Sequence, residues 1–203
     1  MFRSALLCLA ICLAGASAAQ EAPALYDVTG VASDDHLNIR AEPEAGAAQI
    51  GTLAPDATNI EITAINEDGT WGRLNTGEGS GWASLSFLEM QPGSAMPDAA
   101  EVGCFGTEPF WSYRVDPDSI ASWSELGEDP VTLLAGDTRR VDAGLHPFVS
   151  VAAAPDLQAI LVMTPKFACS DGMSDRLYGL GATLVLTGKV SRAVTGCCML
   201  TAN

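Results

Sequence analysis

Basic side chains are scarce in this sequence: Lys and Arg number 10 against 25 Asp and Glu, a formal charge of −15 over 203 residues. Such a chain lacks the cationic surface that a phosphate backbone requires, which excludes nucleic acid as a partner. Histidine is scarcer still. His36 and His146 stand far apart, with no ligand of another type at metal-binding spacing around either, so no metal site and no cofactor is expected. Aromatic residues make up only 6% of the chain. There is no Gly-rich phosphate loop between a strand and a helix, and no Gly-x-Ser-x-Gly elbow, which removes two common catalytic signatures. After the first 20 residues no apolar run approaches the ~20 residues that span a bilayer as a helix, so a membrane-embedded chain is not expected. Helical periodicity is missing too, since no segment sustains an apolar stripe at helical spacing.

The opening MFRSALLCLAICLAGASAAQ combines Arg3, an apolar run from Ala5 to Ala14, and Ala16, Ser17 and Ala18 in an A-x-A arrangement. That is the pattern of a cleavable export signal, predicted over residues 1–19. It removes Cys8 and Cys12 and leaves Cys104, Cys169, Cys197 and Cys198. An even count in an exported chain predicts disulfides. A bridge between the adjacent Cys197 and Cys198 would strain the peptide between them, and neighbours on a strand face opposite ways. The expectation is therefore that Cys104 and Cys169 each join one member of that pair, the alternative being one long-range bridge with a buried free thiol.

Short β-favouring runs between Gly, Pro, Asn and Asp fill the rest: YDVTGV, NIEITAI, WGRL, GWASL, FWSYRV, AILVM, ATLVLT and AVTGCCML. They predict an all-β chain. The stretch MQPGSAMPDAA breaks every periodicity, so residues 92–100 read as a linker between a module at 24–91 and one at 101–203. Residues 20–91 carry 12 acids against Arg40 and Arg73, making the first module the more acidic. Within it, Ile60 and Ile62 alternate with Glu61 and Thr63, Glu67-Asp68-Gly69 marks a hairpin before Trp71, and TGEGSG marks another before Trp82. Five short strands closing one small barrel are expected.

LNIRAEP, IGTLAPDA, WGRL and GWASLSFL, in that order and spacing, resemble the bacterial SH3-like (SH3b) domains. The departures are Glu42, where a small residue is usual, and Phe87, where Tyr is common. The resemblance implies a partly open β-barrel of a kind that docks cell-wall peptides or positions a neighbouring domain. Trp71 suits the core or a groove, Trp82 and Tyr26 could present rings to an extended peptide, and Arg40 could offer a donor to its carboxylate.

In the second module Trp111, Tyr113 and Val115 share one strand face, and Val194, Gly196, Cys198 and Leu200 share another, which makes Cys198 the more buried of the adjacent thiols. The nearly continuous apolar run Leu157–Met163 suits a strand covered on both sides, limited by Pro165. A compact antiparallel barrel or sandwich is predicted. GTEPFW, CSDGMSD and the terminal GCC resemble an uncharacterised family of bacterial envelope domains, a likeness that implies location and fold but no reaction. Within those motifs Glu108, Asp171 and Asp175 are candidates for a carboxylate pair, with Trp111 beside them, although Asp171 in SDGMSD also suits turn capping.

The function expected on these grounds is non-enzymatic: an exported, periplasmic binding protein whose partner is a cell-wall peptide or an envelope protein. The alternatives are an inhibitor of a cationic envelope hydrolase such as lysozyme, which the acidic charge suits, and a cell-wall hydrolase using the three carboxylates. Oligomeric state is not legible.

Overall fold

The computed structural model describes residues 22–99, 101–116, 118–141 and 146–201. The predicted export signal at 1–19 lies outside them. The described chain is all-β; its helical content is a single 3-10 turn at Leu85–Phe87.

The first module contains β1 (Ala24–Val28), β2 (Leu37–Arg40), β3 (Gln49–Leu53), β4 (Ile60–Ile62), β5 (Ala64–Ile65), β6 (Trp71–Thr76), β7 (Gly79–Ser84) and β8 (Leu88–Met90). These form two small antiparallel sheets, ordered β4-β1-β8 and β3-β2-β7-β6-β5. The chain crosses from one sheet to the other at the buried Thr63. Between β6 and β7, Gly77 adopts φ 56°, a left-handed value that a tight hairpin demands and that a side chain resists. Alternation along the strands sends Tyr26, Leu37, Ile39, Ile62 and Leu74 into one core.

The second module is a closed barrel of eight antiparallel strands. Its strands are β9 (Glu101–Thr107), β10 (Phe110–Val115), β11 (Ile120–Glu125), β12 (Val131–Ala135), β14 (Phe148–Ala154), β15 (Leu157–Cys169), β16 (Tyr178–Gly188) and β17 (Arg192–Thr201), with a short β13 (Arg139–Arg140) added on β14. The ring runs β12-β11-β10-β9-β17-β16-β15-β14 and closes where Leu134 and Ala135 pair with Ala153 and Ala152. The interior is filled by the inward residues of each strand, among them Trp111, Tyr113, Leu133, Leu161, Met163, Leu184 and Leu200.

Trp111 explains two of the motifs. It stands directly opposite Gly106 on β9, and a Cβ on Gly106 would lie 2.2 Å from its Nε1. A Cβ on Gly196 would lie 1.9 Å from the Phe105 carbonyl oxygen and 3.0 Å from Trp111 Cζ2. The indole therefore needs both glycines, and its Nε1–H donates to the Thr195 carbonyl at 3.2 Å.

The alternating faces of β17 separate the adjacent cysteines. Cys104–Cys198 joins directly paired residues of β9 and β17 inside the barrel, while Cys169–Cys197 lies in a separate small cluster with Tyr178. Both cysteines of the adjacent pair are buried, Cys197 as well as Cys198. Two disulfides point to an oxidising, extracytoplasmic location.

Two strand expectations are corrected. The segment Leu157–Met163 is covered on one side only: Leu157, Ala159, Leu161 and Met163 face inward while Gln158 is exposed and Ile160 and Val162 are half-buried, because a closed ring has one interior. Pro165 does not end this strand. The strand runs on to Cys169 with a shift of register between Pro165 and Cys169, and an irregularity of that kind is where a strand tolerates proline.

The stretch at 92–99 is packed rather than loose. Ser94 is buried, its hydroxyl accepting from Leu25 N–H at 3.0 Å. Met96 belongs to the barrel's core cluster, as does Leu25 of β1, whereas Ala24, Tyr26 and Val28 face the first core. Strand β1 is thus a wall shared by both modules.

Candidate binding groove at the module junction

The segment between β15 and β16 fastens the modules together. Asp171 accepts from the Met173 and Ser174 N–H groups and from the Ser174 hydroxyl, each at 2.9 Å. Partial burial works against its ionisation, but these bonds, together with one from the Tyr178 side chain, hold its carboxyl below the usual range. The turn so fixed carries the next residues onto the β6–β7 hairpin. There Asp175 N–H donates to the Glu78 carbonyl at 2.8 Å, Arg176 Nε–H to the Gly77 carbonyl at 2.7 Å, and Leu177 N–H to Ser80 Oγ at 2.9 Å. The Cys169–Cys197 bridge anchors the start of this clasp to β17.

Arg73 fastens the other end. It is 2% exposed, donates Nε–H to Thr63 Oγ1 at 3.0 Å, donates Nη2–H to the Phe167 carbonyl, and stacks 4.9 Å from the Phe167 ring centroid. Burial lowers its pKa, the sign of a guanidinium stripped of water. Nearby, Glu61 on β4 accepts from Leu200 N–H on β17 at 2.9 Å. Burial pushes its carboxyl up to about 7, only partly offset by that bond.

A cavity of about 620 Å³ lies along this junction. Phe105, Phe110 and Trp111 contribute aromatic walls, the 124–127 and 171–176 segments flank it, and Glu78 reaches it from the first module. Phe110, Leu126 and Met173 are 45%, 79% and 68% exposed, an apolar cluster left to water around one concavity. Glu78, Glu125 and Asp171 supply carboxylates there and Arg176 one cation; Glu125 is ion-paired to Arg192, outside the groove lining. A groove of this kind suits an apolar segment that carries positive charge.

No family model, curated protein or solved structure compared with this chain matches it.

The residues singled out from sequence fall in several places. Tyr26 is fully buried; it presents no ring to a groove, because its face of β1 lines the core of the first module. Arg40, Trp82 and Arg73 stand opposite one another across β2-β7-β6, with Trp71 on the same outer face. Trp71 and Trp82 are half-buried there, and Arg40 donates to the Ala47 carbonyl at 3.1 Å. Tyr26, Arg40, Trp71 and Trp82 do not line the junction groove. Trp111 walls the junction groove while remaining 3% exposed.

Glu108 and Asp171 line a second cavity together, and Asp175 does not join them. Asp171 is held ionised and used as a turn cap, the role its motif suggested. Among the described residues no three His, Cys, Asp or Glu side chains are grouped to hold a metal.

Sequence reasoning passed over Arg73, Phe167, Glu61, Phe110, Leu126 and Met173. One signal was available: Arg73 is one of only two cations in the acidic first module and sits among apolar strand residues.

Proposed function

We propose that this chain is an exported, non-catalytic binding protein of the bacterial envelope, in which an SH3-like module and a disulfide-stapled barrel together hold a cell-wall peptide. The observation that carries the reading is the junction groove, where exposed Phe110, Leu126 and Met173 meet the side chains of Glu78, Glu125 and Asp171. Apolar walls with a few charged groups bind an extended segment by burial and fix its orientation by charge. Amines of a wall peptide complement these acidic side chains, which outnumber the groove's one cation, Arg176, 4.0 Å from Glu78. The disulfides agree with a periplasmic site of action.

The test is co-sedimentation of the mature protein with purified wall sacculi, with calorimetric titration of soluble stem peptides. Saturable binding is expected to both, and absence of binding to either removes the wall from the account.

The net charge of −15 favours one alternative, inhibition of a cationic hydrolase such as lysozyme. That reading requires slower wall lysis in the presence of excess protein, an effect that fades with added salt.

A further inference from the structure

A second concavity of about 480 Å³ lies on the outer wall of the barrel, across the Phe105–Thr107 ridge from the junction groove. Its floor is built by β15, β16 and β17. Thr183 stands directly opposite Thr195, and Thr164 directly opposite Gly181. All three threonines are exposed and line the cavity. Two neighbouring hydroxyls are committed locally, Thr107 donating to the Asp171 carbonyl at 2.8 Å and Ser170 accepting from Gly172 N–H at 3.1 Å. Those of Thr164, Thr183 and Thr195 have no hydrogen-bond partner among the described residues.

Charge narrows the ligand. Lys166 is the cavity's one cation, and Glu108 and Asp171 answer it. A phosphate or polyanion would meet more repulsion than attraction, and a polycation would have to accommodate the Lys166 ammonium. A purely apolar ligand would cover three hydroxyls and leave them unpaired, which costs binding. What fits is a neutral molecule bearing several hydroxyls, because each threonine hydroxyl can both donate and accept. Val162 and the Phe105 side of the ridge add apolar surface for its C–H face.

Gly181 keeps this floor low. A Cβ there would meet Lys166 Cδ at 3.5 Å and the Thr164 carbonyl at 3.9 Å, which are ordinary contacts. The fold therefore does not exclude a side chain at this position, in contrast to Gly106 and Gly196; the Lys166 stem lies over the glycine, and a side chain there would push that stem into the cavity.

We infer that this wall of the barrel is a binding site for a neutral oligosaccharide, seated along the Lys166 stem with its hydroxyls on Thr164, Thr183 and Thr195.

The test is amide-resolved NMR titration of the mature protein with chitotetraose, cellotetraose and maltotetraose. At least one is expected to perturb the Gly181, Thr183 and Thr195 amides. Gly181→Val, a β-favouring residue that fills the floor, should weaken that binding about ten-fold or more, equivalent to about 1.4 kcal/mol. The Thr183→Ala, Thr195→Ala double variant removes two hydroxyls from exposed positions where folding is tolerant and should give a similar loss. The inference is overturned if none of the three sugars perturbs those amides at about 10 mM, a level that detects millimolar affinity, or if both variants bind as the parent does. Because the readout is local to this wall, it stands or falls apart from peptide binding in the junction groove.

Discussion

Replacing Arg73 by Ala should uncouple the two modules. The substitution removes a charge-assisted bond to the Phe167 carbonyl, worth about 1.5–3 kcal/mol, and a cation–π contact worth about 0.5–1 kcal/mol. It also leaves Thr63 Oγ1 without its guanidinium donor. Against this, the guanidinium no longer has to be desolvated. The balance is a loss of about 2–3 kcal/mol, felt at the seam rather than in either core. Urea denaturation of the parent should be one cooperative transition reported alike by Trp71 and Trp82 in the first module and Trp111 and Trp123 in the second. In Arg73→Ala the transitions should separate, and first-module amides should exchange about 30- to 150-fold faster. A double-mutant cycle with Phe167→Ala isolates the ring contact, because the Phe167 carbonyl survives that change. A destabilisation below about 0.5 kcal/mol, the level of an ordinary surface substitution, with a single transition retained, would refute the clasp.

Three further outcomes follow from the geometry. Glu61 is raised in the folded state from 4.5 to about 7, so the native protein holds a proton that the unfolded chain has already lost, and its contribution to stability falls as pH rises between those values. The full shift is worth about 3 kcal/mol; because the side chain is only partly shielded from water, about 1–2 kcal/mol is expected between pH 4.5 and pH 8. Glu61→Gln should flatten that slope in urea midpoints. Gly196→Ala forces a Cβ to 1.9 Å from the Phe105 carbonyl oxygen and should cost about 3 kcal/mol or more. Gly103→Ala, whose Cβ would meet nothing closer than Met199 Cγ at 3.9 Å, should be nearly neutral in the same thermal melt. The Tyr113 hydroxyl is buried in the barrel without a hydrogen-bond partner among the described residues, and burial pushes its phenol up to about 12. Tyr113→Phe should therefore leave stability unchanged or raise it by about 1 kcal/mol, and a loss of that size in calorimetry would show that the hydroxyl has a partner.

Much of the fold is legible because its rules are local. Period-two alternation sorts Trp111 and Tyr113 from Ser112 and Arg114, and places Cys198 opposite in facing to Cys197. The motif CSDGMSDR can be read as a turn because an Asp side chain bonds amides two and three residues on. Long-range closure is not local. Nothing near Leu134 announces that it pairs with Ala153 to complete the ring, and an isolated apolar run cannot tell a strand covered on two faces from one wrapped around a single interior. Tyr26 was misplaced for a related reason: an aromatic with a polar tip suits a groove as well as a core, and only the closing of the first module's two sheets around its face of β1 decides between them. The junction groove escaped notice because its residues come from β9, β10, a turn after β11, the clasp and the β6–β7 hairpin, five stretches that meet only in the folded chain.

The measurement that bears most directly on the account is stem-peptide affinity of the mature protein in two variants side by side. Leu126→Asp changes an exposed side chain of the groove, and Trp82→Ala changes the outer aromatic face of the first module. Loss of binding in Leu126→Asp, by about ten-fold or more, with affinity retained in Trp82→Ala, is the expected result. Retention in Leu126→Asp with loss in Trp82→Ala would place the ligand on the first module alone and contradict a site at the junction.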